Sequence, residues 1–119
     1  MSKQRRDRLY LGDIEEAIQR IVAYTTGLSL EQFLSNAMVQ DAVLHNMQVI
    51  GEATKKLSPA IRRDHASLPW REMAGMRDKI VHEYFGVNLQ IVWSVAQQDL
   101  PRLLPAIQAA LAQLADETE

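Results

Sequence analysis

The chain has 119 residues, 47% of them hydrophobic, and carries a formal net charge of -2 with 24% charged residues. That is the size of one domain with one core, and its charge is too balanced to hold nucleic acid by bulk electrostatics, so any RNA or DNA contact must be local. There is no cysteine, which excludes disulfides, thiolate nucleophiles and cysteine-based zinc sites.

The opening "MSKQRRDRLY" is basic, but "LGDIEEAIQR" behind it already mixes in charge, so it does not read as a signal peptide. No apolar run approaches the ~18 residues needed to cross a bilayer. The expectation is a soluble cytoplasmic protein without membrane contact, a single domain over residues 1–119 with a short flexible basic N-terminus and an acidic C-terminal tail.

Glycine and proline are sparse, and apolar residues recur at three- and four-residue spacings, which predicts an all-α fold. A first helix is expected over about Arg8 to Tyr24, with Tyr10, Ile14, Ala17, Ile21 and Tyr24 on one face and Gly27 ending it. Ser29 followed by Gln32 resembles a capping box that starts a short helix carrying Phe33 and Leu34. Asn36 caps the next helix, about Ala37 to Leu57, which buries Val39, Val43, Met47, Ile50 and Leu57 and offers Gly51 as a close contact between helices. A basic cluster of Lys55, Lys56, Arg62, Arg63 and His65 surrounds "SPAIRR", where Ser58 and Pro59 read as N-cap and first position of a short helix. As a solvated connector this cluster needs no function; Lys56, Arg62 and Arg63 are its candidates for RNA backbone contacts.

Pro69 and Trp70 open a segment through Met73, Met76, Ile80 and Tyr84, with Gly86 placed as a left-handed C-terminal residue. Asn88 caps the last long helix, which holds Val92, Ala96, Leu100, Leu103, Ile107, Leu111 and Leu114 at helical spacing. Pro101 is expected to kink it or break it at Leu100, and Pro105 to do so again. Trp70 and Trp93 read as core or interface anchors.

The chemistry gathers in "RDKIVHEY". The histidines, His45, His65 and His82, show no metal-ligand spacing, and the five glycines form no phosphate loop. No metal or other cofactor is therefore expected. What remains is an acid/base and charge-stabilising set: His82 for proton transfer near neutral pH, and Arg77 as a permanent planar cation matched to phosphate. Cleavage of RNA by its own 2'-hydroxyl requires these groups. Asp78, four residues before His82, is placed to hydrogen-bond the ring and fix its tautomer. On a regular helix Arg77 and His82 lie ~140° apart around the axis and ~7.5 Å along it. A symmetric dimer would resolve this by bringing two copies of each into one cleft. The bland reading is a surface helix with ion pairs such as Lys79 with Glu83.

The stretch "LPWREMAGMRDKIVHEYFGVNLQIVWSVAQQDLPRLLPAI", with "AVLHNMQVIGEATKKLSP" upstream, resembles the signature region of the HepT family of HEPN domains. The resemblance runs from the first helix to about Leu111, and its most specific part is Arg-x4-His-x-Tyr after Pro-Trp-Arg-Glu. It implies an antiparallel HEPN-type helical bundle, a homodimer, and a metal-independent ribonuclease toxin whose Arg-x4-His lines a cleft between protomers. It further implies a partner, a minimal nucleotidyltransferase antitoxin of the MntA type, which uses ATP to place AMP on the tyrosine and block RNA entry. Carried over, Arg77 and His82 become the catalytic pair, Asp78 the polar residue after the arginine, and Tyr84 the modification site. The alternatives are a noncatalytic module that binds a nucleotidyltransferase and perhaps a nucleotide, and a purely structural dimerising bundle.

Overall fold

A computed structural model describes residues 2–83 and 86–118, without the side chains of Val81, Glu83 and residues 116–118. Its helices are α1 (Lys3–Thr25), α2 (Leu30–Leu34), α3 (Ala37–Lys55), α4 (Pro59–Asp64), α5 (Trp70–Glu83), α6 (Leu89–Ser94) and α7 (Leu100–Thr118), with a π-helical turn, Val95–Asp99, joining the last two. No strand occurs among the described residues, and the fold is an all-α bundle.

α1 begins five residues before the expected Arg8, because Ser2 caps it by accepting the Arg5 N–H at 3.1 Å, and the basic stretch from Lys3 to Arg8 is thereby helical. Its buried stripe is Leu11, Ile14, Ala17, Ile18, Ile21 and Thr25, whereas Tyr24 is 42% exposed. The stripe ends one residue later than the expected one because a 3.6-residue period drifts relative to steps of three and four. Thr25 can be buried because its hydroxyl donates to the Ile21 carbonyl at 2.8 Å. The chain then reverses at Gly27, whose φ of 81° lies in the left-handed region that glycine alone enters freely.

The Ser29 and Gln32 capping box forms in both directions, and Asn36 caps α3 by accepting from Val39 N–H. Phe33 is fully buried and its ring lies 5.1 Å from that of Trp93, so both tryptophans join the core: Trp70 is 6% exposed, with its indole N–H donating to the His65 carbonyl at 2.9 Å. α3 ends at Lys55, and Leu57 is buried beyond it.

α1 packs against α3 and α7, and α3 packs also against α5. The start of α1 is tied to the end of α3 by Asp7, which is 3% exposed: its two carboxylate oxygens accept from the Ser58 N–H at 2.8 Å and the Ser58 hydroxyl at 2.6 Å. α1 and α3 therefore run antiparallel. Ser58 is the N-cap of α4 with Pro59 behind it, as expected; its hydroxyl makes no cap hydrogen bond and donates to Asp7.

Two expectations near the C-terminus need correction. Gly86 is in a 3₁₀ turn and its φ is not positive, since the chain passes straight on to the Asn88 cap of α6, which accepts from Gln90 and Ile91 N–H. Of the kink or break expected at Pro101, the break at Leu100 does not occur. Pro101 lacks an N–H, and the preceding π turn absorbs the register change by pairing Leu100 N–H with the Val95 carbonyl, after which α7 continues with Pro105 inside it. The expected apolar positions from Val92 to Leu114 are all buried or half-buried.

Candidate active site

Arg77 sits where α3 and α5 touch. Residue 51 is glycine, and a Cβ built there would lie 2.5 Å from both the Cβ and the backbone nitrogen of Arg77. The absence of that Cβ lets the two backbones meet and holds the base of the arginine against α3. The Arg77 Nε lies 3.6 Å from Glu52 Oε1, and Nη1 lies 3.3 Å from Asp78 Oδ1. The same Asp78 oxygen accepts from Lys55 Nζ at 2.6 Å. α3 thus contributes Glu52 and Lys55, and α5 contributes Arg77 and Asp78, to one cluster of two cations and two carboxylates.

All four side chains are between about a third and a half exposed, at 37% for Arg77, 48% for Glu52, 40% for Lys55 and 49% for Asp78. A phosphate from solvent can reach them. The Lys55 hydrogen bond, then the neighbouring Arg77, hold the Asp78 carboxyl below its ordinary value, against the opposing effect of desolvation. Asp78 therefore remains an anion that offsets charge beside Arg77.

The expected Asp78 to His82 hydrogen bond does not form among the described residues: Asp78 turns to Lys55 and Arg77. His82 is exposed near the end of α5. Among the described residues, no hydrogen bond or ion pair joins it to Arg77 either. The two sides of the helix separate them, as the ~140° of rotation requires. Tyr84, and the side chain of Glu83 with its expected Lys79 pair, lie outside the described residues.

The basic cluster divides. Arg62 folds back so that Nη2 donates to the Thr54 carbonyl at 2.6 Å, capping the C-terminal end of α3, while its Nε is buried without a partner. Lys56 Nζ lies 5.5 Å above the Tyr10 ring, and Arg63 is exposed. Sequence reading missed Glu52, whose only signal was a place next to Gly51, and gave Lys55 to the basic cluster alone.

Beside α5, Met47, Met76, Ile80, Val92 and Val95 line an apolar groove of about 150 Å³ together with Ile91, which is 54% exposed. Among the described residues no three His, Asp or Glu side chains come together as metal ligands, and no helix is long and apolar enough to cross a membrane.

The chain is thus an all-α bundle that presents an arginine-centred charge cluster to solvent, with an exposed histidine further along the same helix. The family model described as "Ribonuclease HepT-like" matches residues 14–110, and the chain belongs to that family. It is 44% identical over 94 residues to a protein of Thermococcus cleftensis named "Probable ribonuclease HepT", covering 79% of this chain and 86% of the relative. A relative from Caldanaerobacter subterraneus, named as a candidate RNase, is 36% identical over 104 residues, with 87% and 93% covered. Another, from Methanocaldococcus jannaschii and likewise named, is 38% identical over 96 residues, with 81% and 79% covered. No solved structure matches the chain at a significant level.

Proposed function

We propose that this protein is a metal-independent endoribonuclease, acting as a homodimeric toxin of a toxin–antitoxin pair. The observation that carries the reading is the placement of Arg77, whose base is gripped by Gly51 while its guanidinium remains open to solvent, in a chain of the HepT-like ribonuclease family.

In this reading His82 takes the proton from a ribose 2'-hydroxyl, and the 2'-oxygen attacks the adjacent phosphorus. Arg77 offsets the charge that builds on the phosphorane oxygens. As the bond to the 5'-oxygen breaks, the His82 of the second protomer supplies the proton to the leaving oxygen. The products are a 2',3'-cyclic phosphate and a 5'-hydroxyl. A dimer is supported by two features: one chain holds Arg77 and His82 on different sides of α5, and the apolar groove beside that helix ends in an exposed Ile91. Lys56 and Arg63 are placed to attract the RNA backbone; Arg62, committed to the Thr54 carbonyl, contributes less.

The partner is a minimal nucleotidyltransferase antitoxin of the MntA type. It transfers AMP from ATP to the Tyr84 hydroxyl with release of pyrophosphate, so ATP serves the partner and the ribonuclease needs no cofactor of its own. The added phosphate cancels the field of the cluster and occupies the path of the substrate.

The deciding experiment is cleavage of a labelled RNA in EDTA by wild type, His82→Ala and Arg77→Ala, with fold and oligomeric state checked in parallel. Cleavage by wild type alone, leaving a 2',3'-cyclic phosphate, is expected. Intact RNA in every lane, with tight binding of the nucleotidyltransferase, would replace the enzyme with a noncatalytic binding module.

A further inference from the structure

Glu52 and Lys55 stand three residues apart on α3 and so share a face. Both are directed at the Arg77–Asp78 pair on α5, one at each member. The two contacts have different consequences for the guanidinium. Glu52 lies at Nε, the donor closest to the side-chain stem, at 3.6 Å. Fixing that end leaves the terminal nitrogens to reach outward. Lys55 acts on the neighbour: it holds Asp78 Oδ1 at 2.6 Å, while the same oxygen is 3.3 Å from Arg77 Nη1. The shorter contact takes the greater share of that oxygen's charge. Without Lys55 the carboxylate would be free to close a bidentate pair on Arg77 and occupy the fork that a phosphate would need. With it, Nη2 has no partner among the described residues.

We infer that Glu52 and Lys55 are positioning residues for Arg77: Glu52 fixes the guanidinium through Nε, and Lys55 holds Asp78 to one shared contact at Nη1, so that Nη2 stays open to a phosphodiester oxygen. Neither touches the reacting atoms in this assignment. The effect on catalysis rests on the ribonuclease reading, while the effect on the orientation of Arg77 does not. A freely rotating arginine would lose entropy on each encounter with substrate, and a locked ion pair would have to be broken; the cluster avoids both costs. Both residues are well exposed, so changing them leaves the core intact.

The test uses the full chain labelled with 15N and reads the Nε–H signal of Arg77, assigned with Arg77→Lys, beside single-turnover RNA cleavage. Glu52→Gln and Lys55→Gln are each expected to move that signal. They should also slow cleavage by on the order of a hundredfold, with RNA Kd changed by less than about threefold, since the loss falls on the transition state. Glu52→Asp and Lys55→Arg should recover much of both. An unmoved Arg77 signal in the Gln variants overturns the inference, as does a moved signal with undiminished cleavage. If wild type cuts no RNA, the ribonuclease reading fails by itself, and the Arg77 signal still decides whether Glu52 and Lys55 position it.

Discussion

Gly51 and Arg77 meet backbone to backbone: a Cβ at position 51 would fall 2.5 Å from the Arg77 nitrogen and 2.9 Å from its Cα. No side chain fits between them, so glycine is required here for close approach and not for its φ.

Gly51→Ala should therefore push α3 from α5 and cost about 1–3 kcal/mol of stability, the usual range for overpacking. Gly75→Ala is the control. That glycine is exposed within α5 with nothing within 4 Å of its virtual Cβ, and alanine there should stabilise by about 0.5–1 kcal/mol. Denaturant melts of the two variants should move in opposite directions; equal shifts would contradict the close approach.

Asp7 joins the start of α1 to the chain after α3 by two hydrogen bonds from Ser58. Asp7→Ala leaves a buried N–H and a buried hydroxyl without their acceptor and should cost roughly 2–4 kcal/mol. Ser58→Ala removes one of the two bonds and should cost about 1 kcal/mol. Combined, the two changes should cost less than their sum, which a double-mutant cycle would reveal.

The Asp78 carboxyl titrates below its ordinary value of 3.8 because Lys55 and then Arg77 favour the anion. A folded-state pKa below the unfolded one stabilises at pH above the unfolded value, and the contribution disappears as pH falls through the folded one. Any stability owed to this group is thus constant near neutrality and lost in acid below about pH 4. An NMR titration should show the Asp78 midpoint rising in Lys55→Gln; an unchanged midpoint would mean that Lys55 does not govern it.

The proposed regulation has a direct readout in mass. Incubation with the cognate nucleotidyltransferase and ATP should add whole AMP units to the chain and abolish RNA cleavage. Tyr84→Phe should prevent both. Modification that persists in this variant would place the acceptor elsewhere.

Much of the local structure was legible in the sequence. The caps at Ser29, Asn36 and Asn88 and the close contact at Gly51 were all read correctly, since each depends on a few consecutive residues or on one missing side chain. Errors arose where a residue had two possible partners. Asp78 can reach His82 along its own helix, but Lys55 across the helix interface offers it a full positive charge, and the ion pair prevails. Pro101 could have broken its helix, but a π turn lies just ahead of it and α7 continues through it.

By itself the sequence determined the all-α class, most helix starts, the core face of the last helix, and the Arg77, His82 and Tyr84 motif, because helical periodicity and capping are properties of neighbouring residues. The tertiary structure alone decided that Glu52 and Lys55 belong to the Arg77 site and that Arg62 turns inward to Thr54. Those pairings depend on how closely α3 approaches its neighbours and at which register, and that is fixed by the packing of whole helices around Gly51 and the core, which no short stretch of the chain contains.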